Sequence, residues 1–223
     1  MMSNPHKETD SHTTVQNHKQ IKEKIIKVAT KAFHSEGVRP VTMDDIAHKM
    51  AMSKRTLYQI FADKEDLLLS CVREHEAKDR RRVEEEVKQS SNVLEFIIRE
   101  FERKLKEMEC VSPAFLTEVV RYPKVMEFYR TRHRENADMA VKFLEGGVEQ
   151  GYFRRGIDFR IVYDMLQSNM EFYQKNPKIF KKYTFSHVFK NTVLVFFRGC
   201  TTPEGCAFMD EYMKTLEDEA DKK

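Results

Sequence analysis

Residues 41–68 read VTMDDIAHKMAMSKRTLYQIFADKEDLL. Thr42 followed by Met43, Asp44 and Asp45 spells a helix start, with a hydroxyl to accept a first-turn N–H and acids where the helix dipole favours them. The spacing predicts a short helix running to Lys49 or Met50. Ala51, Met52 and Ser53 interrupt it, and Ser53 caps a second short helix, Lys54 to Phe61, whose inward face is Leu57, Ile60 and Phe61. Asp63 then caps a long helix that begins at Lys64. Two short helices around a three-residue turn have the spacing of a helix-turn-helix, in which the second helix enters the major groove of DNA while its back stays in the core. The outer side of that second helix offers Lys54, Arg55, Thr56, Tyr58 and Gln59, a mix of cation, hydroxyl and amide suited to phosphates and base edges.

Upstream, Ile21, Ile25, Val28, Ala29, Ala32 and Phe33 recur at three- and four-residue steps from Asn17, and Gly37 is placed to end that helix. The polar segment 1–16 has no periodicity and is expected to be a disordered tail. It has neither the apolar stretch of a signal peptide nor the Arg-rich character of a transit peptide, so a cytoplasmic location is expected. Downstream, the helix from Lys64 buries Leu67, Leu68 and Val72 and then enters a charge run, Arg73 to Lys88. Pairs such as Arg81/Glu85 and Arg82/Glu86 at i,i+4 read that run as a solvated face. Further helices follow: Val93 to about Met108, one opening at Ser112-Pro113, Pro123 to Gln150, Phe159 to Lys175 capped by Asp158, Ser186 to Arg198, and Pro203 to about Glu217. A short turn is expected around Pro177 to Lys182, and no segment reads as a sheet.

Composition agrees. Only 7 glycines and 6 prolines occur in 223 residues, which favours helix. The net charge of +3 is too mild to argue for nucleic acid by itself. Distribution says more, because no acid lies between Asp45 and Asp63 while Lys49, Lys54 and Arg55 do. Cys71, Cys110, Cys200 and Cys206 are scattered, with no CxxC pair and no zinc spacing, and read as reduced thiols. No cofactor or metal is expected. An enzyme is disfavoured by the lack of GxSxG, HExxH, a phosphate loop or clustered carboxylates.

The 41–68 stretch, with Ile25, Ala29, Phe33 and Gly37 upstream, closely resembles the DNA-binding signature of the TetR family of transcriptional regulators. Two positions depart from it: Met52 stands where Gly-Val is usual in the turn, and Arg55 where a small residue is frequent. A shifted turn and a different base preference are the expected consequences. The resemblance implies an all-α fold, with a three-helix helix-turn-helix domain (17–65) and a larger helical ligand-binding and dimerisation domain (66–223). It implies phosphate contacts for Thr42, Ser53, Thr56, Tyr58 and Lys64, the last helped by its helix N-terminus. Arg55 and Gln59 are the base-reading candidates, since Arg suits guanine and Gln adenine; Lys54 suits either role.

The C-terminal part resembles the family only in layout. Its apolar residues cover more than one helical stripe in Phe159 to Lys175 and in Ser186 to Arg198, so these helices must bury two faces. The resemblance supplies a four-helix bundle with the same helices of a second subunit, and Val162, Leu166, Met170, Val193, Phe196 and Phe197 are its expected residues. A ligand pocket is expected among Phe96, Phe101, Phe115, Tyr122, Met126, Tyr129, Phe143, Tyr163, Asn169 and Tyr173, which would suit a small apolar or aromatic effector. The expected partners are double-stranded operator DNA, a second copy of the chain and that effector, with no membrane. The expected function is a DNA-binding repressor under effector control; the rival is a helical interaction protein without specific DNA binding.

Overall fold

The computed structural model describes residues 6–176, 178–179 and 182–220, and side chains from Gln16 to 214 except at 170, 174, 177, 180, 181, 185 and 213. Among them the order is α1 (His6–Glu36), α2 (Met43–Lys49), α3 (Lys54–Ile60), α4 (Lys64–Gln89), α5 (Val93–Glu109), α6 (Pro113–Glu118), a 3-10 turn (Val119–Arg121), α7 (Pro123–Glu149), α8 (Phe159–Lys175), α9 (Phe185–Cys200) and α10 (Pro203–Ala220). The described residues contain no strand, only an isolated bridge between Phe153 and Thr201. No helix among them is long and apolar enough to cross a membrane.

Local chemistry sets the boundaries. Thr42, Ser53, Asp63, Ser112 and Asp158 each accept a first-turn N–H at the start of their helices, satisfying donors that have no intrahelical partner. Pro113 and Pro123 stand at first helical positions, where a missing N–H costs nothing. Of the segment expected to be a disordered tail, residues 1–5 lie outside the described residues. From His6 the backbone is helical, so α1 begins ahead of Asn17. No proline or glycine occurs between His6 and Glu36 to stop a helix propagating backwards from its buried half. Of the turn expected around Pro177 to Lys182, Pro177, Phe180 and Lys181 also lie outside the described residues.

Two apolar cores result. The first gathers Ile25, Ala29 and Phe33 of α1, Ile46 of α2, Leu57 and Phe61 of the α3 segment, and Leu67, Leu68 and Val72 of α4, and it includes Phe115, Val119 and Val125. The second joins Val93, Leu94 and Ile98 of α5 to Phe153, Phe159, Cys200 and Met209. The first core thus reaches across residue 65 and docks α6 and the start of α7 onto the three N-terminal helices. Backbone contacts seal that junction: Ser112 N donates to His34 O (2.7 Å), Arg39 N to Glu118 Oε2 (2.6 Å) and Lys124 N to Glu65 Oε1 (2.8 Å).

The α2–α3 turn carries a strained residue. Ala51 sits at φ 50°, the only positive φ of a non-glycine residue among those described, where a Cβ crowds the following carbonyl. The unusual turn sequence therefore places alanine in a left-handed position. Ala51→Gly should stabilise the protein by about 0.5–1 kcal/mol, the strain relief exceeding the added freedom of the unfolded chain. Thermal denaturation should register this as a rise in Tm of roughly 1–4 °C.

The charge run on α4 is a correction to the sequence reading. Part of it faces α5 rather than solvent: Asp79 pairs with Arg103 (3.0 Å) and Lys104 (2.8 Å), and Arg82 pairs with Glu100 (2.6 Å) as well as with Glu86 (3.3 Å). Burial pushes the Asp79 carboxyl up, but Lys104, Arg82 and Arg103 outweigh it and hold its pKa below the ordinary value. A depressed folded pKa contributes stability above the unfolded value of about 3.9 and loses it as pH falls through the folded value. Asp79→Asn should cost about 1–3 kcal/mol at pH 7, less than a fully buried pair because the site is partly wet. Calorimetry from pH 6 to pH 3 should find that cost shrinking; a constant difference would contradict it.

Candidate nucleic-acid interface

α3 is a two-faced helix of seven residues. Leu57 is fully buried and Phe61, its C-cap, is almost so, while Ile60 is half-buried. Those anchors hold the opposite side outward: Lys54, Arg55, Thr56, Tyr58 and Gln59 are all exposed, Tyr58 to 50%. Thr42 and Ser53 are exposed at the starts of α2 and α3, so these two hydroxyls and the outer side of α3 are all open to an incoming duplex.

The hydroxyls are partly spoken for. Thr42 Oγ1 donates to Asp45 Oδ2 (2.6 Å) and accepts from Asp45 N (3.2 Å), and these Thr42 hydrogen bonds hold the Asp45 carboxyl below the usual carboxylate range. Ser53 Oγ accepts from Thr56 N (3.1 Å) and shares a hydrogen bond with Thr56 Oγ1 (2.8 Å). One of those two hydroxyl protons remains available to a phosphate oxygen. Lys54 pairs with Asp44 across the turn, and that carboxylate raises its pKa. The pairing was not legible, because Asp44 reads equally well as a first-turn acid of α2.

Lys64 is half-buried and its Nζ donates to Arg39 O at 3.1 Å. Burial lowers its pKa, against the opposing pull of Glu118 and Asp45. Two further cations join this end of the molecule: Arg39, exposed on the α1–α2 connection, and Lys22, whose Nζ stands 5.4 Å from the centre of the Phe61 ring. Neither was singled out in the sequence, since both become part of the surface only through packing.

Residues 25–71 match the family described as bacterial regulatory proteins, tetR family. The chain carries a TetR-family DNA-binding domain. The TetR match spans α2, α3 and the start of α4 and enters α1 at Ile25. Comparison with curated proteins gives no match. Solved structures share the fold over most of the chain. A transcriptional regulator from Saccharomonospora viridis, solved in complex with choline, is 19% identical, with a TM-score of 0.66 over 82% of this chain and 99% of that one. A TetR family regulator from Agrobacterium tumefaciens is 16% identical, with a TM-score of 0.65 over 83% and 100%. The ketosteroid regulator KstR2 of Mycobacterium tuberculosis is 21% identical, with a TM-score of 0.52 over 81% and 95%. The fold is accordingly that of TetR-family regulators, a helix-turn-helix domain followed by a larger helical one.

The ten residues expected to form a ligand pocket do not all share one space. Phe96 meets Phe143 edge-on (4.9 Å between centres), Phe101 stacks on Phe189, and Tyr163 stacks on His133 (4.4 Å). Tyr122 packs against the first core, Met126 is buried, Asn169 Nδ2 donates to Met165 O, and the Tyr173 hydroxyl meets Thr192 Oγ1. Only Phe115 and Tyr129 of the ten line the cavity of about 610 Å³ that opens between α1, α4, α5 and α6. Aromatic side chains at helical spacing went mostly into packing, as their area dictates.

The expected dimer residues also divide. Val193 is buried, and Val162 and Phe197 pack against the second core; Leu166 and Phe196 are half-buried, and the Met170 side chain lies outside the described residues. The apolar residues that face outward are their neighbours: Ile161 (56% exposed), Met165 and Phe172 (54%), which share one face of α8, and Val195 (72%) on α9.

Proposed function

We propose that this regulator is a homodimeric repressor that reads operator DNA with α3 and releases it when a small apolar or aromatic effector fills the helical body. The observation carrying this reading is the two-sided α3, whose buried Leu57 and Phe61 fix Arg55, Tyr58 and Gln59 on the outside of a matched TetR-family domain. In the proposal Arg55 and Gln59 read bases, Thr42, Ser53, Thr56, Tyr58 and Lys64 hold phosphates, and Lys54 does either. Dimerisation is supported by the uncovered stripe Ile161, Met165 and Phe172, since apolar rows of this kind mark interaction faces. Two copies related by a twofold axis place two recognition helices on a near-palindrome. Effector control is supported by the junction cavity and by α4, which belongs to both parts of the molecule. The choline held by the Saccharomonospora viridis regulator and the ketosteroid in the name of KstR2 support small ligands as the class.

In this reading Ile161→Lys combined with Phe172→Lys yields monomers. Sedimentation at micromolar concentration should then give 26.5 kDa rather than twice that mass. Repression itself is tested by transcription in vitro from a promoter overlapping the bound site. Added protein should lower the transcript; a rise would make the protein an activator.

A further inference from the structure

The junction cavity is chemically lopsided. Its floor is apolar, formed by Phe33, Leu68, Val72, Phe115, Leu116 and Tyr129. Its α5 edge is cationic, with Arg103, Lys104 and Lys106, and His34 and His75 face the same space from α1 and α4. Glu107 is the only carboxylate among the lining residues. Arg103 and Lys104 are already answered by Asp79, Glu100 and Glu107. Lys106 is exposed at the rim and, among the described residues, forms no ion pair within 4.0 Å. Lys106 is therefore the lining cation with charge to spare: an anion gains from it at once and competes with Asp79, Glu100 and Glu107 for the other two, whereas an entering cation is repelled by it.

We propose that this cavity binds an organic monoanion with an apolar body, its carboxylate on Lys106 and the Arg103–Lys104 edge and its hydrocarbon on the Phe115–Leu116 floor. A volume of about 610 Å³ accommodates a ligand of that size. The regulatory meaning of the site rests on the effector control proposed above, and the walls fit it. α1 belongs to the DNA-binding side, α5 to the body and α4 to both, and the same Arg103 and Lys104 hold Asp79 of α4. A bound carboxylate that draws those two cations toward itself loosens the clip between α4 and α5.

Three probes with one chain length, decanoate, 1-decanol and decyltrimethylammonium, are titrated calorimetrically into the purified protein without DNA, below their micelle concentrations. Decanoate should bind at least tenfold more tightly than the other two. Lys106→Glu, a rim substitution that leaves both cores intact, should cost decanoate at least tenfold and leave 1-decanol unchanged. Leu116→Trp, which fills the floor, should weaken decanoate and 1-decanol together. No decanoate binding, equal binding of all three probes, or indifference to Lys106→Glu would each overturn the proposal. DNA affinity is then measured with decanoate present. Lys106-dependent binding that leaves DNA affinity unchanged would keep this site and its ligand class while removing effector control.

Discussion

Gly37→Ala is expected to lower stability by about 2–4 kcal/mol, combining a left-handed-strain cost with an overpacking cost. Gly37 follows α1 at φ 93°, where its N–H closes on Phe33 O at 2.9 Å. A Cβ there would stand 2.9 Å from Ala114 Cβ and 3.1 Å from Glu118 Oε2. Both neighbours belong to α6, so the overlap falls on the junction between the DNA-binding helices and the body. Glu118 also accepts from Arg39 N, so the disturbance reaches the loop whose carbonyl holds Lys64. Differential scanning calorimetry should register a Tm lower by roughly 5–10 °C. The two causes separate in a double-mutant cycle: on an Ala114→Gly background the tightest overlap is removed, while the backbone part and the contact with the flexible Glu118 carboxylate remain. Unchanged stability in Gly37→Ala would contradict the close approach of α1 to α6.

Arg55→Ala is expected to weaken binding to the selected operator by about 1–3 kcal/mol, the cost of one bidentate base contact, while hardly altering affinity for random duplex. Arg55 is exposed at the second position of α3, held out by the buried Leu57 two residues on. Tyr58→Ala and Lys64→Ala should behave differently, losing affinity for both duplexes alike, because phosphates carry no sequence. For Lys64 the salt slope of binding should also flatten by about one unit. Anisotropy titrations at two or more salt concentrations separate these outcomes. An equal loss on both duplexes for Arg55→Ala would move it from base reading to backbone contact.

What was legible in the sequence was local. Thr42, Ser53, Asp63, Ser112-Pro113 and Asp158 declare helix starts through chemistry acting over three residues, and each stands where it was read. The outward side of α3 was equally readable, because one buried leucine fixes the face of a two-turn helix. Readings that depend on neighbouring helices fared otherwise. Asp79 with Arg103 and Lys54 with Asp44 join separate helices, and nothing in i,i+4 spacing announces them. In α8 the apolar residues cover more than one stripe, so periodicity alone does not say whether Val162 or Ile161 turns inward; the second core takes Val162. The aromatic wealth of α5, α7 and α8 was visible, yet whether rings pair with each other or border a cavity is decided by helix crossings. Phe96 and Phe143 pair, while Phe115 and Tyr129 border a space that their spacing in sequence does not reveal.

The central claim is that α3 of a dimer reads a particular DNA sequence. The most direct measurement is selection of bound duplexes from a random pool by the full chain at near-physiological salt, followed by sequencing. The account predicts enrichment of a near-palindrome whose half-sites lie about one helical turn apart. A folded dimer that retains DNA without enriching any sequence would contradict it.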